Sequence, residues 1–291
     1  MILVVGGTGA LGSRITDRLL ARGEQVRLLT RVAPGQPHRL PLEADRVFGD
    51  LKDAESLRVA CADVDTVITT ANATARSAPD TVDSVDLTGN LSLIDMAEAA
   101  GAGRFLFVSA LGAHPDHPMP LLRAKGVSEE RLRASDMAWT VLQPNVFMDT
   151  LIPVVVGGPA LSGRPVTLVG GGRRRHSFIA MSDVAAYAVS ALDRPQAQRQ
   201  TIAVGGPEPL SWCDIVAAFE EELGRRVPVR AVPPGTPTPD LPDFITGLLT
   251  ALEGYDSSID MAQTRRELGV EPTHLADFVH TFALAVRDQA G

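Results

Sequence analysis

Met1-Ile2-Leu3-Val4-Val5-Gly6-Gly7-Thr8-Gly9-Ala10-Leu11-Gly12 decides the fold. The apolar run Ile2 to Val5 suits a buried strand, and it passes without a linker into glycines. Beyond them Ile15, Leu19 and Leu20 recur at helical spacing, so the order is strand, tight turn, helix. Gly6 and Gly9 permit the turn, and Gly12 lets the helix lie close to the strand. The first amide groups of such a helix lack internal partners and sit at the positive end of its dipole, which makes the turn a seat for an anion without any lysine. GxxGxxG in this setting predicts a dinucleotide pyrophosphate, held by Gly6, Thr8, Gly9, Ala10, Leu11 and Gly12.

Working outward, short β-branched runs alternate with helical patterns through residue 145. Strands are expected at Ile2 to Val5, Val26 to Thr30, Arg46 to Gly49, Thr66 to Thr70, Arg104 to Ser109 and Trp139 to Leu142. One helix is expected from Thr81 to Ala100, ended by Gly101. After Asn145 the chain is punctuated by Gly157-Gly158-Pro159, Gly170-Gly171-Gly172, Gly205-Gly206-Pro207 and Pro233 to Pro239. Helices are expected there at Ser182 to Leu192, Ser211 to Leu223 with Ser211 as the N-cap, and His274 to Arg287. The fold class is therefore α/β: a doubly wound parallel sheet, Rossmann-like, over residues 1–145, followed by a smaller α/β substrate-binding region over 146–291 with some elements returning to the main sheet.

Composition narrows the function. Of the 291 residues 45% are hydrophobic and 21% charged, which fits a folded globular protein rather than a disordered one. The net charge of −8 disfavours nucleic-acid and anionic-membrane partners, because phosphate surfaces need a basic face. Cys61 and Cys213 form no CxxC motif and are expected to be buried, reduced thiols. The opening residues lack the charged head and long apolar core of a signal peptide, so a cytoplasmic protein is expected, as monomer or homodimer.

The adenosine end of the cofactor is readable as well. Arg31 follows the second strand where proteins that prefer NAD offer a carboxylate to the ribose, and its forked donors suit a 2′-phosphate. NADPH is therefore the expected cofactor, with NADH as the alternative and a solvated loop arginine as the plain reading. Asp50 can accept from the adenine amino group or cap a helix, and Leu51 can cover the ring. Thr70 and Ala71, at the end of the fourth strand, should border the same pocket.

With these pieces located, the chain resembles the NmrA-like, atypical short-chain dehydrogenase/reductase family over nearly its whole length. GGTGALGSR, the arginine after the second strand, GDLKD, RFLFVSALGA, LLRAKG, WTVLQPNVFMD and FIAMSDVAAYAVSAL carry the resemblance. It implies an NAD(P)-binding Rossmann fold and an activity among reductases of quinones, ketones, imines and dyes, isomerases, and redox sensors that bind the dinucleotide without turning it over. The wider superfamily works with Ser, Tyr and Lys. Ser109 matches the serine and Lys125 the lysine, while the tyrosine position four residues before Lys125 holds Leu121. Neither tyrosine of the chain, Tyr187 or Tyr255, precedes a lysine at that spacing. The proton then comes from water, from a substrate hydroxyl or from a residue such as His114 or Tyr255, or there is no catalytic step.

The resemblance also expects Lys125 to hold the nicotinamide ribose. The segment after the sixth strand, with Pro144, Asn145 and Phe147, should wall that end of the cofactor, Phe147 and Met148 facing either the pocket or, by default, the core. By composition alone Ser109 could be a strand-end serine bonded to backbone, and Lys125 an exposed helical lysine beside Arg123, Glu129 and Glu130. His114-Pro115-Asp116-His117-Pro118 is a loop rather than a metal site, because the prolines deny a shared helical face. Arg173-Arg174-Arg175-His176 reads as a solvated turn or an anion contact, and the proline-rich stretch from Val232 to Pro242 as a lid or a linker. The expected activity is an NADPH-dependent reductase delivering hydride to a ketone or quinone-like group on an apolar small molecule. A non-catalytic sensor with a protein partner is the alternative.

Overall fold

A computed structural model describes residues 1–32, 41–74, 76, 78–238 and 240–290. Pro239, inside the proline-rich stretch, lies outside the described residues. Nine strands run β1 (Ile2–Val5), β2 (Val26–Thr30), β3 (Asp45–Phe48), β4 (Thr66–Thr69), β5 (Arg104–Val108), β6 (Ala138–Pro144), β7 (Val166–Val169), β8 (Gln200–Val204) and β9 (Val229–Val232) among the described residues. The helices are α1 (Ala10–Ala21), α2 (Ala54–Cys61), α3 (Asn90–Ala99), α4 (Pro120–Arg133), α5 (Met148–Ile152), α6 (Gly158–Leu161), α7 (Met181–Leu192), α8 (Trp212–Leu223), α9 (Asp243–Leu252), α10 (Ala262–Leu268) and α11 (Leu275–Ala290).

The chain divides into two compact units. The first comprises Met1–Pro144, Val184–Ala203 and Arg266–Val270, and the second Asn145–Asp183, Val204–Arg265 and Glu271–Gly291. The main sheet has the order β3-β2-β1-β4-β5-β6-β8, with β1 to β6 paired in parallel. Chain order reverses between β1 and β4, and the crevice beyond the carboxyl ends of those strands is where such sheets take ligands. Leu3, Val67, Phe105, Phe107 and Val141 are fully buried in the core of this unit. Each such side chain contributes about 1.5–3 kcal/mol through burial. The second unit has its own core, in which Phe178 packs edge-on against Trp212 at 5.2 Å. Its small parallel sheet pairs β7 with β9.

Several expectations need correction. The stretch from Thr81 to Ala100 is not one α-helix: Val82–Gly89 is π-helical and α3 follows it. Buried Asn90 explains the change, since its Nδ2 donates to the carbonyls of Val85 at 3.1 Å and Asp86 at 3.3 Å and so intrudes on the backbone ladder. Cys61 is buried but Cys213 is exposed, because it sits one residue past buried Trp212 and off the face formed by Ile215, Val216 and Phe219. Arg173 to Arg175 are exposed, whereas His176 is fully buried, with its ring edge-on to Tyr255 at 5.7 Å. Strands β7, β8 and β9 were not expected from their sequence. No helix among the described residues is long and apolar enough to cross a membrane, and no group of residues there could hold a metal ion.

Candidate functional site

The glycine turn has no spare room. Gly6 has φ +84°, a left-handed conformation, and a Cβ on it would stand 2.7 Å from Thr70 Oγ1 and 2.9 Å from the Ala71 nitrogen. A Cβ on Gly12 would meet the Gly6 carbonyl oxygen at 2.1 Å. The turn therefore presses against the end of β4 on one side and the first turn of α1 on the other. Gly9 is the N-cap of α1 and makes no side-chain cap, so the leading amides of the helix remain for a ligand. Leu11 faces the core instead.

Above this turn lies a cavity of about 270 Å³ lined by Gly6, Thr8, Gly9 and Ala10 from the turn, Thr70 and Ala71 from the end of β4, and Arg31, Asp50 and Leu51 from the ends of β2 and β3. These residues were expected at the cofactor; Thr30, Gly49, Asn72 and Thr74 also line the cavity and were not, while Gly12 and Lys125 were expected and are not part of its lining. A glycine cradle with free amides and an apolar-and-polar rim fits a dinucleotide.

Two further cations belong to the rim, and the sequence did not single them out. Arg31 Nη1 pairs with Asp80 Oδ2 at 2.7 Å, Lys52 Nζ with Asp80 Oδ1 at 2.7 Å, and Arg76 Nη1 with Asp80 Oδ2 at 3.1 Å. Hydrogen bonds from Lys52 and Arg31 hold the Asp80 carboxyl far below the usual carboxylate range. Lys52 also binds Asp50 at 2.7 Å, so the Asp50 side chain faces a cation. Three cations and two carboxylates leave this rim with a surplus positive charge.

The second cluster is built from β5, β6 and α4 of the same unit. Ser109 follows β5, and its backbone amide donates to the Leu142 carbonyl at 2.8 Å. Lys125 is buried, contrary to the exposed-lysine alternative, and its Nζ donates to the Val108 carbonyl at 3.1 Å. Its Nζ also lies 5.1 Å over the Phe107 ring and 4.0 Å from Asp86 Oδ1. Burial pushes the Lys125 ammonium down from the usual lysine range, against the pull of Asp86 and Glu129. Burial likewise pushes the Asp86 carboxyl up. Asp86 Oδ1 has no hydrogen-bond partner, so its approach to the Lys125 ammonium at 4.0 Å is a charge contact rather than a hydrogen bond.

Glu129 is a residue that sequence reasoning missed. Named there only as a neighbour of Lys125, it is 1% exposed and receives Ser109 Oγ–H, two bonds from Gln143 Nε2 and one from Arg133 Nη2. The signal was its position, one turn beyond Lys125 and hence on the same helix face.

Four expected residues are engaged elsewhere. His114 is exposed, with its Nδ1 accepting from the Asp116 amide at 3.2 Å, and among the described residues it shares no hydrogen bond with Ser109 or Lys125. Its backbone does press on α4: a Cβ on Gly126 would meet the His114 carbonyl carbon at 2.2 Å. Asn145 uses its amide to hold Ser257, donating to the backbone carbonyl at 2.7 Å and to Oγ at 3.1 Å. Phe147 forms a backbone bridge to Ile179. Pro144 ends β6, and its carbonyl accepts from the Leu111 amide at 3.0 Å.

Comparison with known proteins places this geometry. Residues 6–195 match the model of a family described as NAD(P)H-binding. An NAD(P)H azoreductase of Xenophilus azovorans is 32% identical over 232 residues, covering 80% of this chain and 76% of the relative. The photosystem II assembly factor Ycf39 of Synechocystis is 30% identical, covering 80% and 70%. Among solved structures, an NADPH-dependent quinone oxidoreductase of Escherichia coli superposes with a TM-score of 0.78 at 18% identity, over 97% of this chain and 99% of that one, and so shares the fold. The glycine cradle, the parallel sheet and these matches agree: the chain belongs to the NAD(P)H-binding family, within the NmrA-like, atypical short-chain dehydrogenase/reductase group of Rossmann proteins.

Proposed function

We propose that this protein is an NADPH-dependent reductase that passes hydride to a ketone or quinone-like group on a mostly apolar small molecule. The observation that carries this reading is the pair of buried polar residues Ser109 and Lys125 at the carboxyl end of β5, in the unit that holds the dinucleotide cradle. A sensor would use the cradle and a lysine on the ribose, but has no use for a serine beside the reacting end of the cofactor. The reductase names of the azoreductase and quinone oxidoreductase relatives support the same class.

Bound NADPH supplies a hydride. The residues of this chain bind and orient around that event. Arg31, Lys52 and Arg76 favour the 2′-phosphate, since the net positive charge of the rim attracts that anion and gains nothing from the bare hydroxyl of NADH. Lys125 holds the ribose, and Ser109 orients the oxygen-bearing substrate. Leu121 gives no proton, so the acceptor is one that takes hydride with little acid help, such as a conjugated carbonyl, and the matching proton comes from water or from the substrate's own hydroxyl.

Oxidation of NADPH across a panel of quinones and polycyclic ketones tests this. Turnover with at least one conjugated acceptor is expected. Tight NADPH binding with no oxidation by any member would favour the second reading, a dinucleotide-dependent assembly or regulatory protein, which the similarity to Ycf39 and the missing tyrosine support.

A further inference from the structure

Glu129 has no part in the reaction described above, yet its surroundings fix what Ser109 can do. Its carboxyl is filled by donors alone: Ser109 Oγ and Gln143 Nε2 on Oε1, and Arg133 Nη2 at 2.6 Å and Gln143 Nε2 at 3.1 Å on Oε2. A carboxyl so surrounded acts as acceptor on both oxygens. A serine hydroxyl has one hydrogen and two lone pairs, and here the hydrogen is committed inward to Glu129. Turning it toward a substrate carbonyl would break a charge-assisted bond inside the protein and leave a carboxylate oxygen short of a donor. Meeting a donor with the free lone pairs breaks nothing.

We infer that Glu129 is a positioning residue that makes Ser109 a hydrogen-bond acceptor, so that the substrate group meeting Ser109 is itself a donor, a hydroxyl or N–H beside the reducible carbonyl. This rests on the reductase reading and narrows its substrate class to hydroxy- or amino-substituted quinones and ketones.

The test uses the full-length protein, NADPH and three naphthoquinones carrying a hydroxyl, an amino or a methoxy group beside one carbonyl. The hydroxyl and amino compounds should exceed the methoxy compound by about tenfold in kcat/KM, the factor of one ordinary hydrogen bond, with the difference in KM. Ser109→Ala should erase that gap. Glu129→Gln, which can present an amide N–H to Ser109 and free the serine hydrogen, should narrow or reverse it, a change that mere loss of packing would not produce. Equal rates for all three compounds in the unaltered protein, or persistence of the gap in Ser109→Ala, overturns the inference while the reductase reading stands. If none of the three is turned over, calorimetric affinities of the three for the NADPH complex decide the inference: the same order supports it, equal affinities overturn it, and the reductase reading falls only if the wider panel of quinones and ketones is inert as well.

Discussion

Gly12 lies directly beneath Gly6: a Cβ on Gly12 would stand 2.1 Å from the Gly6 carbonyl oxygen and 2.9 Å from the Gly7 Cα. Both obstacles are backbone, so the turn itself must move to admit a methyl group. Gly12→Ala should destabilise the fold by about 1–3 kcal/mol and abolish NADPH binding, measured by urea denaturation and by calorimetric titration. Gly103→Ala, where the nearest atom would be 3.9 Å away, is the control and should change neither. Unaltered NADPH affinity in Gly12→Ala would remove the turn from the pyrophosphate.

Cofactor choice is predicted to lie with the cations around Asp80. Arg31→Ala should weaken NADPH by about tenfold to a hundredfold, the worth of a charge-assisted hydrogen bond, and leave NADH nearly unchanged. Lys52→Ala should act in the same direction, since Lys52 shares the Asp80 carboxylate with Arg31. Dissociation constants for both cofactors in both variants provide the check, and equal losses for NADPH and NADH would assign the pair a purely structural role.

Lys125 should leave a mark on stability at alkaline pH. Its folded pKa lies below the unfolded value of 10.5, so between the two the unfolded chain holds a proton that the folded chain has released. The unfavourable contribution is full below the folded pKa, and stability rises with pH through that window, by at most about 1.4 kcal/mol per pH unit. Denaturation of the natural protein and of Lys125→Met across the neutral-to-alkaline range should show the rise only in the former. Identical slopes would mean that the lysine is not desolvated.

The two thiols should separate cleanly. Burial pushes the Cys61 thiol up to about 11, while Cys213 is exposed. A thiol reagent such as Ellman's should therefore modify one cysteine rapidly in the native protein and the second only after unfolding. Cys213→Ser should eliminate the fast phase. Persistence of that phase would show that Cys61 is reached through local opening.

Legibility in the sequence followed the range of the interactions. The glycine turn, Arg31, Asp50, Leu51, Thr70 and Ala71 were readable because a strand, a tight turn and a helix in series leave their residues at one end of the sheet whatever else the chain does. The N-cap at Ser211 was legible for the same reason, its Oγ accepting from the Asp214 amide three residues on. Strands β7 and β9 were not, because each is four residues long and gains its ladder only from a partner some sixty residues away in sequence. Lys52 and Arg76 were passed over because what gathers them is Asp80, which joins side chains separated by 28 and 4 residues around a carboxylate of only 9% side-chain exposure.

By itself the sequence determined that this chain builds a parallel α/β sheet with a dinucleotide cradle at its first turn, and that the usual tyrosine is replaced by Leu121. Those properties follow from residue identity and local spacing. Tertiary structure alone decided that the helical run from Thr81 passes through a π-helical segment, that His176 is interior, and that Gly12 has no room for a methyl group. It also decided where the hydrogen of Ser109 points, because Glu129, Gln143 and Arg133 reach that position from two different elements, and a hydroxyl takes its direction from whichever acceptor the fold brings beside it.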